Sequence, residues 1–265
     1  MDDILNLIPT WAIMLGAALL IFAMNEIGFR LGRGRGGDTT GQDPAAVVQG
    51  AAFTILALLL GFSFALGLGR YDARRATLVR ESAALGTTFL RAKLLDAKTA
   101  AAARSDLRRY GAQRIAFAQA DAQPEQRAAA QEKSLEIQRD LWSLTTRAAR
   151  EDPHSTMVPL FVTSLNDTIA LSTEEAAVLG SHIPDVVIIW ILLIAFIASA
   201  MMGYGFGRRG QRAIVFKVLF AIVLALALGL VIDLDRPQRG LIRVSLAPLQ
   251  TVQRLMEGAT TQPEP

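Results

Sequence analysis

Two aspartates one residue apart, Asp233 and Asp235, close one apolar run, and Arg70, Asp72, Arg74 and Arg75 follow directly on another. With Arg236 they form a group of mixed charge, and such a group can do one of two things. It can supply carboxylate oxygens to a hard cation, or it can pair internally. Hard-cation cages use six to eight oxygens, more than this pair of carboxylates provides. The pattern therefore reads as a charge-paired collar at the ends of two helices, one that fixes how an extramembrane part docks on the membrane, and no metal is expected there.

Other motifs carry less. Residues 32–37 (GRGRGG) satisfy G-x-G-x-x-G but follow an apolar run and no strand, so the context of a dinucleotide site is missing. Gly203-Tyr204-Gly205 has the composition of a cation filter, yet it ends an apolar run with no separate pore helix before it. Glu26 and Lys217 are ionisable residues inside apolar runs, near enough to the ends to reach the interface by snorkelling. Thr54 and Ser63 read as ordinary hydroxyls bonded within their own helix. No cysteine is present and histidine occurs only at 154 and 182, which excludes disulfides, thiolate metal sites and all-histidine sites. With no nucleophile–base pair or ligand cluster at a usable spacing, the sequence predicts neither an enzyme nor a cofactor.

What would hold these residues is a membrane fold. Residues 9–29, 46–69, 186–206 and 213–232 are four apolar runs, each about as long as a helix needs to cross roughly 30 Å of hydrocarbon. They fall in two hairpins around a charged stretch. The expectation is an all-α membrane protein with a first transmembrane hairpin at 1–69, a soluble helical module at 70–184, a second hairpin at 185–233 and a C-terminal tail at 234–265. The acidic Met1-Asp2-Asp3 start and the length of the first run predict a retained helix, not a cleaved signal. Net charge is +3, and the arginines cluster beside apolar runs, which points to orientation in a bilayer and away from nucleic acid.

Nothing breaks the chain after residue 69, so the second helix should continue out of the membrane through Leu78, Ser82, Leu85 and Phe89. Further helices are expected at 100–122, at 124–151 between Pro124 and Pro153, and at 155–181, where Met157, Leu160, Phe161, Ser164, Leu165 and Thr168 form a packing stripe. Residues 240–246 alternate as a short strand or extended segment would, and 248–257 suits a last short helix.

Small residues recur every fourth position in three spans: Gly61, Ala65 and Gly69; Ala195, Ser199 and Gly203; Ala221, Ala225 and Gly229. In lipid such stripes let helix backbones approach closely, within one subunit or across an interface. The second span also carries a bulkier face, Phe53, Ala57, Leu60 and Phe64, which must then meet lipid, a neighbour or a pore.

Residues 49–95, 164–184 and 233–249 resemble a bacterial membrane-protein family called bestrophin-like, with Arg70-Tyr71-Asp72 and Asp233-Leu234-Asp235-Arg236-Pro237 as its most specific marks. The resemblance implies a relation to bestrophins, homopentameric anion channels with four membrane helices, pore-lining second helices and a cytosolic helical body. It does not carry calcium gating, because an acidic clasp run is absent. The expectation is a multi-pass protein of the bacterial inner membrane, a homo-oligomer whose second helix lines a path for small anions. The alternative is a non-conducting scaffold or sensor whose helical module binds a partner. Acidic Asp2-Asp3 and the arginines of the short loops favour an outer module, whereas the resemblance favours a cytosolic one.

Overall fold

The computed structural model describes residues 9–34, 44–120, 123–179, 183–235 and 242–258. They form eight α-helices: α1 (Thr10–Arg33), α2 (Pro44–Arg91), α3 (Ala97–Gln119), α4 (Pro124–Glu151), α5 (Met157–Leu179), α6 (Asp185–Arg208), α7 (Ile214–Asp235) and α8 (Ala247–Gly258). A 3-10 turn, Ala92–Leu94, ends α2. Four helices are long and apolar enough to cross a membrane: α1, the first part of α2, α6 and α7. The protein is an integral, multi-pass membrane protein with an inserted helical module.

Local chemistry explains several boundaries. The Asp96 carboxylate accepts from the backbone N–H groups of Lys98 and Thr99, both at 3.1 Å, and so caps α3. Pro124 sits in the first turn of α4, where its missing N–H costs nothing. The Ser155 hydroxyl caps α5 through Met157 and Val158. At 48 residues, α2 is roughly 72 Å long, more than twice the hydrocarbon thickness. The continuation of the second helix expected from residues 70–95 is what the chain does. Among the described residues no strand forms, and 242–246 is irregular chain leading into α8.

Contacts divide the chain into two compact units, one comprising Met1–Tyr71 and His182–Ile242, the other Asp72–Ser181 and Arg243–Pro265. In the first, α1 packs against α6 and α7, around Ile21, Leu56, Ile191, Ala195, Ala198, Ala221 and Leu228. In the second, the outer part of α2 with α3, α4, α5 and α8 encloses Leu85, Phe89, Leu107, Tyr110, Leu141, Phe161 and Met256. The C-terminal helix thus belongs to the helical module, as Gly111 shows: a Cβ there would lie 2.4 Å from Gln253 and 2.9 Å from Met256.

Candidate functional site

Two of the three small-residue stripes are used up inside the membrane unit. A Cβ on Gly203 would stand 1.9 Å from the Asn25 carbonyl oxygen, and one on Gly28 would stand 1.9 Å from that of Ala200, so α1 and α6 touch backbone to backbone. Ala195 and Ser199 are buried in the same seam. On α7, Ala221 and Ala225 are buried, and a Cβ added at Gly229 would lie 2.5 Å from the Met14 side chain of α1.

The stripe on α2 lies differently. Gly61, Ala65 and Gly69 are exposed, and a Cβ added at Gly61 or Gly69 meets nothing within 4 Å. The side of α2 that packs on its own bundle carries Leu56, Ser63 and Gly67, with a Gly67 Cβ 3.2 Å from Leu234. Of the bulkier residues, Phe53 and Leu60 lean into the bundle, Phe53 with its ring 5.4 Å from that of Phe220. Ala57 and Phe64 are exposed. The four therefore do not share one open face. Thr54, exposed as well, bonds back to the Gly50 carbonyl at 3.0 Å.

Where the apolar part of α2 ends, Arg70 donates to the Asp235 carboxylate at 2.7 Å. The same carboxylate accepts from the backbone N–H of Ile183 at 2.9 and 3.1 Å, just ahead of α6. Asp233 accepts from the backbone N–H of Ile242 at 3.0 Å. Both aspartates are buried, and their oxygens tie the end of α7 to the strands of chain where α6 begins and α8 is approached. Arg74 is buried, whereas Asp72 and Arg75 are exposed; Arg236 lies outside the described residues.

Lys217 departs from the snorkelling expectation, whereas the Glu26 side chain stays 33% exposed. Lys217 is 1% exposed, donates to Glu26 at 3.2 Å, and sits 3.9 Å over the Phe29 ring. A neutralising carboxylate and an aromatic face make burial of the ammonium tolerable. Arg30 shares the same carboxylate at 3.4 Å.

Sequence reasoning missed a polar network in the helical module. Arg114 of α3, 1% exposed, donates to Glu81 of α2 at 2.6 Å and to Glu175 of α5. Gln138 of α4 donates to the Tyr110 hydroxyl at 3.3 Å and the Ser172 hydroxyl at 3.0 Å. Burial pushes the Tyr110 phenol above its usual range. Its signal was available: Tyr110, Arg114 and Phe117 share one helical stripe, so the arginine occupies a core position. On the surface, an open groove of about 810 Å³ is lined by Leu135, Arg139, Trp142, Arg147, Arg150 and Ile169.

The Bestrophin-like domain is matched over residues 16–249. The chain belongs to the Bestrophin-like family. No curated protein matches it. A single-substitution variant of a bacterial bestrophin homologue from Klebsiella pneumoniae is similar, 14% identical, covering 96% of this chain and 98% of its own with a TM-score of 0.69. Another structure of that homologue gives 14% identity, 95% and 98% coverage and a TM-score of 0.68. A structure described only as a membrane protein is also 14% identical, with 95% and 100% coverage and a TM-score of 0.69. At this identity the likeness shows that this Bestrophin-like chain has the bestrophin fold.

Proposed function

We propose that the protein assembles with copies of itself into a path for small ions, anions preferred, lined by the open face of α2. The observation that carries this is a contrast between exposed surfaces. Elsewhere the membrane unit exposes large side chains: Trp11, Leu15 and Leu19 on α1, Val186, Trp190 and Ile197 on α6, and Val215, Phe216 and Leu219 on α7. Those suit acyl chains. α2 exposes large side chains too, Ile55, Leu58, Phe62 and Leu66 among them, but they are interleaved with a strip of small ones, Ala57, Gly61, Ala65 and Gly69, and a Cβ added at Gly61 or Gly69 meets nothing within 4 Å. Small side chains leave room for a neighbouring helix or for a hydrated ion, and Phe64 at the edge of the strip is bulky enough to narrow such a path. The preference for anions rests on membership in the Bestrophin-like family.

The test pairs flux with particle mass for Gly61→Leu. A branched side chain on the open strip should abolish chloride flux in liposomes. If the strip is a seam between copies, the particle also falls to the mass of one 28.6 kDa chain; if it lines the path, mass is kept. Flux equal to wild type in Gly61→Leu defeats the proposal.

A second reading is supported by the groove at Leu135, Trp142, Arg139, Arg147 and Arg150, whose exposed apolar floor and guanidinium rim suit an acidic partner segment. Under that reading the helical module is a scaffold. A monomeric particle without flux would favour it.

A further inference from the structure

The glycine seam between α1 and α6 has a consequence at one end of the membrane unit. The two helices run parallel, since Gly28 meets Ala200 while Gly32 meets Tyr204, and Gly203 meets Asn25 while Gly207 meets Phe29. Their C-termini therefore lie side by side: a Cβ on Gly207 would be 2.9 Å from the Arg33 nitrogen, and one on Gly32 would be 3.1 Å from that of Arg208. That closeness gathers Arg30 and Arg33 from α1 with Arg208 and Arg209 from the end of α6. Arg212 joins them from the tight connection to α7, in which Gly210 has φ 66° and Ala213 has φ 35°.

Among the described residues the Glu26 carboxylate is shared by Lys217 and Arg30. Arg33, Arg209 and Arg212 are exposed with no partner among the described residues. Two helix C-termini attract some positive charge, but each carries only about half an elementary charge. A surplus remains. Directly beside it the surface turns apolar, with Ile27, Leu31, Ile214, Val215 and Phe216 all exposed. The arginines thus stand at the edge of the apolar surface, where a bilayer spanned by α1, α6 and α7 would place its headgroups.

We propose that this rim, with Arg33, Arg209 and Arg212 at its centre, binds the phosphate of anionic phospholipids and anchors the α1–α6 pair to them. Zwitterionic lipid offers a phosphate whose charge is cancelled by its own ammonium, so the rim should discriminate between the two classes. Plain orientation by arginine would need no such convergence and predicts that neutralising these three arginines affects lipid retention no more than neutralising three others.

The test uses the full chain in detergent with phosphatidylglycerol or phosphatidylcholine added. Thermal melting and native mass spectrometry report stabilisation and retained lipid. Phosphatidylglycerol should raise the melting temperature and be retained, phosphatidylcholine far less. Neutralising the rim with Arg33→Gln, Arg209→Gln and Arg212→Gln together should weaken retention on the order of 100-fold, as expected for three interfacial arginines. The same change at Arg139, Arg147 and Arg150 in the helical module should leave retention unchanged. Equal retention of the two lipids, or equal loss in both triple variants, overturns the proposal. So does full reproduction of the stabilisation by inorganic phosphate, which would mark a free-anion site instead. None of these readouts uses ion flux, so a failed conduction experiment leaves them intact.

Discussion

Asp235→Ala removes the carboxylate that holds both Arg70 and the backbone N–H of Ile183. Ile183 is 2% exposed, so its amide would have no water to replace the lost acceptor. A hydrogen bond from a buried amide to a charged acceptor contributes about 1.5–3 kcal/mol. The Arg70 side chain is 24% exposed and can turn to solvent, so its share is nearer to the ~1 kcal/mol of a partly screened pair. Together these predict a loss of about 3 kcal/mol at the entrance to α6, equivalent to roughly 100-fold faster amide exchange at Ile183. Asp72→Ala is the matched control, because Asp72 is exposed and its removal should change stability by no more than about 0.5 kcal/mol. Hydrogen exchange in detergent resolves the two. If exchange at Ile183 rises equally little in both variants, the reasoning about the aspartate is wrong.

The other expectations address different links. Gly203→Ala should destabilise the membrane unit by about 1–3 kcal/mol by forcing α1 and α6 apart, whereas Gly61→Ala, with nothing near its Cβ, should not; melting of the two variants in one detergent decides this. Arg114→Leu leaves Glu81 and Glu175 buried without their cation and should cost about 3–5 kcal/mol, read as lost helicity of the module at lower temperature than wild type. Hydrogen bonds from Thr99, with the Lys98 amide adding to them, hold the Asp96 carboxyl below its ordinary 3.8. The stabilisation is therefore full above that value and lost as pH falls through the lower folded value, and Asp96→Asn should flatten the acid side of the melting profile. Phe64→Ala should keep particle mass and raise flux.

Much of the architecture was legible because bilayer-length apolar runs and proline boundaries act locally: 124–151 is a helix with the ends its prolines imply, and the second helix continues because no residue after 69 stops it. Partnerships across long sequence separations were not legible. Nothing in the neighbourhood of Lys217 announces Glu26, 191 positions away, so the sequence gives no sign that this lysine is buried against a carboxylate. Small-residue stripes show that close approach is possible but not against what, and only the fold separates the filled seams at Gly203 and Gly229 from the open strip at Gly61. Phe53 and Leu60 were grouped with Ala57 and Phe64 by spacing, yet the helix turns the first two onto Phe220 and the bundle core. The Arg114 network was overlooked because charges on amphipathic helices are normally solvated; its place in the stripe between Tyr110 and Phe117 was the clue.

Current across a planar bilayer containing the purified protein, with chloride salt at unequal concentrations on the two sides, tests the central claim most directly. A path lined by α2 predicts a conductance whose reversal potential lies toward that of chloride and which is lost in Gly61→Leu. A wild-type current indistinguishable from that of the protein-free bilayer contradicts it.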